Sequence, residues 1–180
     1  MNFLDLTRIR QSVRSFTTQT VEKEKIERCI EAARLAPSAC NSQPWKFIIV
    51  TDNDLRQKVA DTTSSKILPL NHFTKEAPVL IVIVREGANF TSKMGEIIRD
   101  KKFTLMDIGI AAVHFCLQAV AEGLGTCMLG WFDERKVKKL LNIPLNKRAE
   151  LIITVGYPKD ENIRAKKRKN LGEIMSYNSY

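Results

Sequence analysis

The chain has 180 residues, of which 44% are hydrophobic and 27% charged, and its formal net charge at pH 7 is +9. These values are ordinary for a globular protein and allow one domain, 1–180, to bury a substantial core without disulfide staples. The longest uninterrupted apolar run, residues 78–84, is too short to cross a bilayer, and no basic stretch followed by an apolar segment opens the sequence. We therefore expect a soluble, cytoplasmic protein. The positive charge fits a nucleic acid, a nucleotide cofactor or simple solubility.

The four cysteines are widely separated in the sequence. Cys29, Cys40, Cys116 and Cys127 form no C-x-x-C pair, and no histidine lies near them at the spacing of metal ligands. This pattern predicts reduced thiols and no metal site.

The first element is a short amphipathic helix over residues 2–10, with apolar side chains three positions apart. An extended segment follows, in which Arg10, Ser12 and Arg14 point the same way while Val13 packs inward. Two guanidinium groups on either side of a hydroxyl suit an oxyanion or the polar edge of a heterocycle, although a solvated basic turn has the same sequence.

A second helix is predicted from Thr20, as its N-cap, to Ala36, and Pro37 ends it. The loop 38–44 has small and amide side chains, and it leads directly into a strand over residues 45–50. A rigid polar loop at the mouth of a strand is either a ligand contact or a plain connection.

The middle of the chain alternates helices and buried strands. Asp52 caps a surface helix, residues 62–74 form a polar loop that contains Asn71, and residues 79–84 form a strand buried on both faces. Residues 87–95 are predicted to be irregular.

An apolar helix over residues 103–122 is the predicted spine of the core, packed on nearly all faces. Gly123 and Gly125 supply the backbone freedom that ends it, and residues 126–129 form a buried strand. Gly130, beside Trp131, either brings bare backbone close to a flat ligand or is incidental.

A short helix from Asp133 and a strand over residues 151–155 complete the chain. This alternation predicts an α+β or α/β sandwich around one sheet. G-x-G-x-x-G, P-loop and G-x-S-x-G motifs are absent from the sequence.

Four motifs occur in the order found in one protein family. They are RQSVRSF at residues 10–16, APSACNSQPWKF at 36–47, GLG at 123–125 leading to LGWFD at 129–133, and KKR at 166–168. On these motifs the chain resembles the nitroreductase family of FMN-dependent flavoproteins. The resemblance implies an α+β, three-layer sandwich with a central mixed, mainly antiparallel sheet flanked by helices. It also implies a homodimer built largely on the spine helix, with FMN sites at the interface.

The resemblance assigns residues to the cofactor. The motif that contains Gln11 would place Arg10 and Ser12 at the FMN phosphate and ribityl chain, and Arg14 at the pyrimidine edge of the ring. Leu129, Gly130 and Trp131 would bring backbone near flavin N5. Lys166 and Arg168 would be cations at the phosphate. The other subunit would contribute Pro37, Ser38, Ala39 and Asn41, and Asn71 matches the family's flavin-contacting asparagine.

The implied reaction takes a hydride from NADH or NADPH onto FMN and passes electrons to a small acceptor such as a nitroaromatic, a quinone or a free flavin. The segment between residues 84 and 103 is too short for a long helical cover, which favours an open pocket. The competing class is a protein that binds flavin or nucleic acid without reductase activity, with residues 164–169 as a basic tail. No aromatic residue is interleaved with that tail.

Overall fold

Four antiparallel strands form the central sheet. The computed structural model describes residues 2–64, 70–87, 102–160 and 162–180. The strands are β1 (Trp45–Val50), β2 (Val79–Arg85), β3 (Gly125–Leu129) and β4 (Arg148–Gly156), in the order β1-β2-β4-β3. Every neighbouring pair is antiparallel, and the parallel component in the described chain is a bridge between Ser12 and Thr126. The first six residues of β2 are buried, as predicted.

Helices cover both faces of the sheet. They are α1 (Phe3–Ile9), α2 (Lys23–Arg34), α3 (Asn53–Asp61), α4 (Phe103–Ala121), α5 (Glu134–Leu140) and α6 (Leu171–Ile174). One face of β2 and β4 packs against α2 and α4, and the other packs against α3 and α5. Because side chains alternate along a strand, β2 supplies Ile81 and Ile83 to the first layer and Leu80 and Val82 to the second. The predicted α+β, three-layer sandwich is confirmed.

The predicted start of the second helix was wrong by two residues, because the N-cap is Glu22 and not Thr20. Helix α2 begins at Lys23 with Glu22 as its N-cap, and Thr20 is exposed outside it. The tertiary structure overrides the local capping signal, because the Tyr157 hydroxyl donates a hydrogen bond of 2.6 Å to the Glu22 carboxylate and fixes the chain there. The helix ends at Arg34 with Leu35 as its C-cap, two residues before the predicted end at Ala36. Ala36 precedes Pro37, and a residue before proline is biased against helical geometry.

Two predicted loops lie partly outside the described residues. Within the predicted loop 62–74, the described part includes the start of a 3₁₀ helix, His72–Glu76. Residues 65–69 of that loop and residues 88–95 of the predicted irregular segment are outside the described ranges.

Helix α4 packs against α2 and the sheet but keeps one apolar face uncovered in the single chain. Eight of its residues are buried, including Ala111, Phe115 and Asp107. The uncovered stripe, which we call the α4 face, consists of Leu105, Met106, Ile110 and Val113, 38–55% exposed. Packing on nearly all sides therefore does not occur within one chain. By length and composition α4 could also cross a membrane, a property that core helices of soluble proteins share.

The two glycines after α4 have different roles. Gly123 has φ +76, the left-handed conformation typical of a helix C-terminus. Gly125 instead permits close packing, because a Cβ atom there would lie 2.7 Å from Cγ2 of Val13. The Val13 amide also donates to the Thr126 carbonyl at 2.9 Å. Val13 thus packs inward, as predicted, and fixes the N-terminal segment to β3.

Candidate functional site

The extended segment after α1 contacts the basic C-terminal tail. Arg164 donates from Nε to the side-chain oxygen of Gln11 at 3.1 Å and from its terminal nitrogen to the Ser12 carbonyl. Gln11 in turn donates to the carbonyl of Asn162 at 2.9 Å. The Lys166 ammonium donates to the carbonyl of Thr7, the last turn of α1. The segment after α1 and the basic tail therefore contact each other at one place.

Three cations lie close together at this junction, and we call Arg10, Lys166 and Arg168 the cation cluster. Partial burial lowers the pKa of Lys166 from its ordinary value, and the charges of Arg10 and Arg168 lower it further. A phosphate group would add negative charge beside these three cations and could accept hydrogen bonds from their side chains, so the donor set fits the phosphate of FMN.

The arginines and the serine of the first motif face a buried thiol. Burial raises the pKa of Cys127 in β3, while the charge of Arg14, the Ser12 hydroxyl and the charge of Arg10 act in the opposite direction. Ser12 is within hydrogen-bonding reach of this thiol, and the two arginines are close enough for their charges to act on it. That alternate residues of the extended segment share a face stays a prediction.

Arg14 lies beside the predicted Asn71 region. Its guanidinium carbon is 6.0 Å from the centre of the Phe73 ring, within reach of a cation–π contact. Asn71, two residues earlier, adopts φ 58 and donates its side-chain amide to the Thr63 carbonyl at 3.2 Å. The predicted ring-edge cation and the predicted asparagine are therefore neighbours through Phe73.

The turn after β3 is held to the end of α3. Leu129 is buried as the last residue of β3, Gly130 has open space where a Cβ would stand, and Trp131 is 64% exposed. The Asp133 amide donates to the Thr62 carbonyl at 2.8 Å, next to the residue that holds Asn71. The turn thus presents backbone beside open space, which suits a close approach by a flat ligand.

The polar loop 37–43 has a strained backbone. Cys40, Asn41 and Gln43 have φ between 44° and 51°, in the left-handed region that residues with side chains rarely adopt. The loop is braced internally, because Ser38 Oγ accepts from the Gln43 amide at 2.9 Å. It is braced externally by Asp107 of α4, whose two oxygens each lie 3.2 Å from the Ala39 amide nitrogen. Non-glycine strain of this kind is concentrated at functional sites.

The loop and the cation cluster lie on different sides of α4 within one chain. The loop contacts α4 at Asp107, whereas the charge of Arg10 acts on the thiol of Cys116. Nine residues of an α-helix correspond to about 13.5 Å and about two and a half turns, which places the two positions on opposite sides of the helix. The predicted residues of the first motif and of the loop are therefore not brought together by a single chain.

Two concavities adjoin the first motif. One measures about 480 Å³ and is lined by Gln11, Val13 and Gly125, among others. The other measures about 200 Å³ and is lined by Gln11, Ser12, Arg14, Asn162 and Arg164, among others. Ligand sites usually measure roughly 300–1,000 Å³, so the smaller one alone would not enclose a ligand. A larger open groove between α3 and α5 shares no residue with the predicted site. Its charged walls are partly neutralised by the ion pairs Lys136–Asp133 and Lys75–Asp61.

Two residues were not predicted to be part of the site. Arg164 appeared in the sequence only as one cation of the basic tail, and its contact with Gln11 and Ser12 depends on the fold. Asp107 did give a signal, since it is the single acidic residue in the apolar sequence of α4. A lone carboxylate on a core helix indicates a buried hydrogen bond.

Comparison with known proteins places the chain in a family. Residues 7–71 and 62–157 match the Nitroreductase family. The oxygen-insensitive NADPH nitroreductase of Helicobacter pylori is 28% identical over 179 residues, covering 82% of this chain and 85% of that protein. The iodotyrosine deiodinase of Thermotoga neapolitana is 28% identical over 196 residues, covering 98% and 97%.

The fold agrees with this assignment. The crystal structure of a nitroreductase family protein from Streptococcus pneumoniae superposes with a TM-score of 0.83 at 28% identity, and the match covers 98% of this chain and 100% of that one. The family match spans most of the described chain, including the first motif, the polar loop and the turn after β3. The protein therefore belongs to the nitroreductase family.

Proposed function

We propose that this protein is an FMN-dependent oxidoreductase that takes a hydride from NADH or NADPH and reduces a small acceptor such as a nitroaromatic or a quinone. Membership of the nitroreductase family supports an oxidoreductase. The observation that carries the cofactor assignment is the cation cluster, in which Arg10, Lys166 and Arg168 lie together where the first motif meets the basic tail.

The residues of the chain have separate tasks in this proposal. Bound FMN would supply the hydride chemistry, and the cation cluster would hold its phosphate. Arg14 would face the pyrimidine edge of the ring, where a fixed cation stabilises negative charge. The turn of Leu129, Gly130 and Trp131 would place backbone near the reacting side of the ring. Pro37, Ser38, Ala39 and Asn41 would cover the other side.

A homodimer would complete the site. The α4 face leaves Leu105, Met106, Ile110 and Val113 exposed, and an apolar stripe of this kind favours a partner surface. A twofold interface on α4 would bring the polar loop of one copy towards the cation cluster of the other. We expect such an obligate interface to bury more than roughly 2,000 Å². Light scattering of the flavin-loaded protein tests this, and a stable flavin-loaded monomer would contradict it.

The identity of the acceptor is the least constrained part of the proposal. One relative is named an NADPH nitroreductase and another an iodotyrosine deiodinase, so similar chains are associated with acceptors of different chemistry. We assign a nitroaromatic or a quinone because the Helicobacter pylori relative is named a nitroreductase and the chain belongs to the nitroreductase family.

The decisive experiment is optical. The purified protein should be yellow, and its flavin absorbance should bleach under anaerobic conditions when NADH or NADPH is added, but not when NAD⁺ is added. A subsequent addition of a quinone should restore the absorbance. Colourless protein that cannot be reconstituted with FMN would refute the proposal.

The basic tail has less support as a nucleic-acid contact. Arg164 is bonded to Gln11 and Ser12, and Lys166 is bonded to Thr7, so two of its cations are directed at the protein itself. Flavin binding that is competed by single-stranded DNA would favour this alternative.

A further inference from the structure

We infer that Asp107 is a positioning residue for the polar loop, and that it fixes the loop in the shape in which Ser38, Ala39 and Asn41 contact the flavin. This inference rests on the proposed function, because the loop that Asp107 holds is the one that would contact FMN.

The burial of Asp107 is the first observation. Asp107 is 4% exposed and lies on a mainly apolar helix. The next residue, Ile108, belongs to the hydrophobic core. Burying a carboxyl group is unfavourable unless hydrogen bonds compensate for the lost water, and a well-packed apolar residue is often at least as stable. Stability of α4 alone therefore gives no reason for an acid here.

The direction of the carboxyl group is the second observation. Both oxygens lie 3.2 Å from the backbone nitrogen of Ala39, in the middle of the loop. The Ala39 amide is at the N-terminus of the 3₁₀ turn Ala39–Asn41, where backbone donors have no partner within the turn. Asp107 thus provides an acceptor from the body of the protein to this turn.

The strain of the loop is the third observation. Cys40, Asn41 and Gln43 all adopt positive φ without being glycine, and such a run persists only where surrounding contacts determine it. Inside the loop, Ser38 accepts from the amides of Asn41 and Gln43. These internal bonds set the curvature of the loop but not its position on the protein. The bond from Ala39 to Asp107 sets that position.

The same helix also carries the α4 face. Met106, next to Asp107, is 55% exposed on that face. A second copy packed there would therefore hold the segment of α4 that carries the Asp107 carboxyl group. Formation of the dimer and the shape of the loop are coupled through this one turn of helix.

Three variants of the full-length protein test the inference. Asp107→Leu replaces the acceptor with a larger apolar side chain, Asp107→Asn keeps one acceptor oxygen at nearly the same volume, and Ile108→Ala is a control that weakens the same helix at the neighbouring position. Two quantities are measured: backbone hydrogen exchange of residues 37–43 in flavin-free protein, and the FMN dissociation constant.

We expect Asp107→Leu to raise exchange of residues 37–43 by about tenfold or more, because the loop loses its anchor. We expect its FMN dissociation constant to rise roughly ten- to hundredfold, the size of a lost charge-assisted hydrogen bond. Asp107→Asn keeps an acceptor oxygen but loses the charge, so it should lie between the parent and Asp107→Leu in both measurements. Ile108→Ala should lower the thermal unfolding midpoint while leaving loop exchange and FMN affinity near those of the parent.

Other outcomes would overturn the inference. Equal loop exchange in Asp107→Leu and the parent would show that the bond does not position the loop. Equal FMN losses in Asp107→Leu and Ile108→Ala would show general destabilisation of α4. If Asp107→Leu fails to fold, Asp107→Ala replaces it, and failure of both would make Asp107 a folding residue instead. A parent that does not bind FMN would refute the proposed function, whereas a parent that binds it and a Leu variant that binds it equally would refute this inference alone.

Discussion

The cation cluster and the polar loop are built in opposite ways. The cluster consists of side chains from both ends of the sequence on a backbone that is extended or irregular, and Arg10, Lys166 and Arg168 need only lie near one another. The loop is a short local segment in which the backbone itself is unusual, with positive φ at Cys40 and Asn41. One half of the candidate site is defined by charge and the other by shape.

This difference implies a difference in tolerance to substitution. In the proposed function three cations would act on one phosphate, so removal of one leaves two in place. The loop has no such redundancy, because a strained backbone depends on each contact that holds it. Removal of one cation should therefore weaken phosphate binding by about one charge-assisted hydrogen bond without abolishing it, whereas loss of one loop contact should change the shape of the whole loop.

The largest effect is expected from Arg168→Ala. This change removes one cation of the cluster and should weaken FMN binding by about ten- to hundredfold, equivalent to roughly 1.5–3 kcal/mol. The flavin midpoint potential should change little, because the phosphate has the same charge in the oxidised and reduced cofactor. Fluorescence titration with FMN measures the affinity. Lys167→Ala is the matched control, since Lys167 is exposed in the same tail, and an equal loss there would show that only net charge matters.

The packing beneath the first motif is tested by Gly125→Ala. The new Cβ would lie 2.7 Å from Cγ2 and 2.8 Å from Cβ of Val13, so the segment that carries Arg10 and Ser12 must move. Overpacking of this kind lowers the free energy of unfolding by about 1–3 kcal/mol, which urea denaturation measures. Gly87→Ala meets no atom within 4 Å and serves as the control.

Adding Val13→Ala to Gly125→Ala removes the contacts with Cγ1 and Cγ2 but leaves the one with Cβ at 2.8 Å, so it should recover only part of the lost stability. A double variant no more stable than Gly125→Ala would contradict the steric explanation. The exchange of loop residues 37–43 should not change in either variant, which would separate the two halves of the site.

The ring end of the site is tested by Arg14→Leu. Charge develops at the ring edge only on reduction, so loss of this cation should selectively destabilise the reduced flavin. A loss of about 1–2 kcal/mol corresponds to a fall of roughly 20–45 mV in the two-electron midpoint potential. Because Arg14 is exposed, solvent screening keeps the effect near this size. A dye-coupled equilibrium titration measures it.

Arg14→Lys retains the charge and should recover most of the potential, although not the planar contact with Phe73. Equal potentials in Arg14→Leu and the parent, or a large shift in Arg168→Ala, would show that the cofactor lies the other way round.

The sequence predicts the main strands and the long helix because their patterns of hydrophobic residues correspond to the residues that are buried in the structure. The strand Trp45–Val50 has the predicted bounds, and the buried run of β2 and the long apolar helix α4 also lie where their patterns place them. The start of α2 was missed because Tyr157, far along the chain, donates a hydrogen bond to Glu22, which is the N-cap. Local capping rules do not include a contact of this kind.

The candidate site could be predicted only in part, for a similar reason. The motifs identify Arg10, Ser12 and Arg14, whose spacing in an extended segment predicts a common face. The contacts of Arg164 and Asp107 join residues more than 60 positions apart, so they depend on the three-dimensional fold. The positive φ values of Cys40 and Gln43 have no signal in residue type, since neither residue is glycine.

The smallest effect concerns an ion pair outside both halves of the site. It shows how much one ion pair contributes to the free energy of unfolding away from the site. Arg28 donates two hydrogen bonds, of 2.8 and 2.7 Å, to the Glu122 carboxylate at the end of α4, and Gln118 donates a third of 2.8 Å. The Arg28 contact lowers the pKa of Glu122 from 4.5 to about 2, against a smaller opposing effect of burial. The side chain of Glu122 is 13% exposed.

Since the folded pKa of Glu122 is depressed, its contribution to stability is fully present above about pH 4.5 and is lost as pH falls towards about pH 2. Arg28 is 53% exposed, so solvent screening reduces the contribution to about 1 kcal/mol. Glu122→Gln should therefore lower the free energy of unfolding at neutral pH by about this amount and converge with the parent near pH 2, as measured by urea denaturation across the range. Glu31→Gln removes a similar but exposed pair with Arg34 and should change the pH profile less. A larger change for Glu31→Gln, or a constant difference between Glu122→Gln and the parent at every pH, would contradict the assigned role of Glu122.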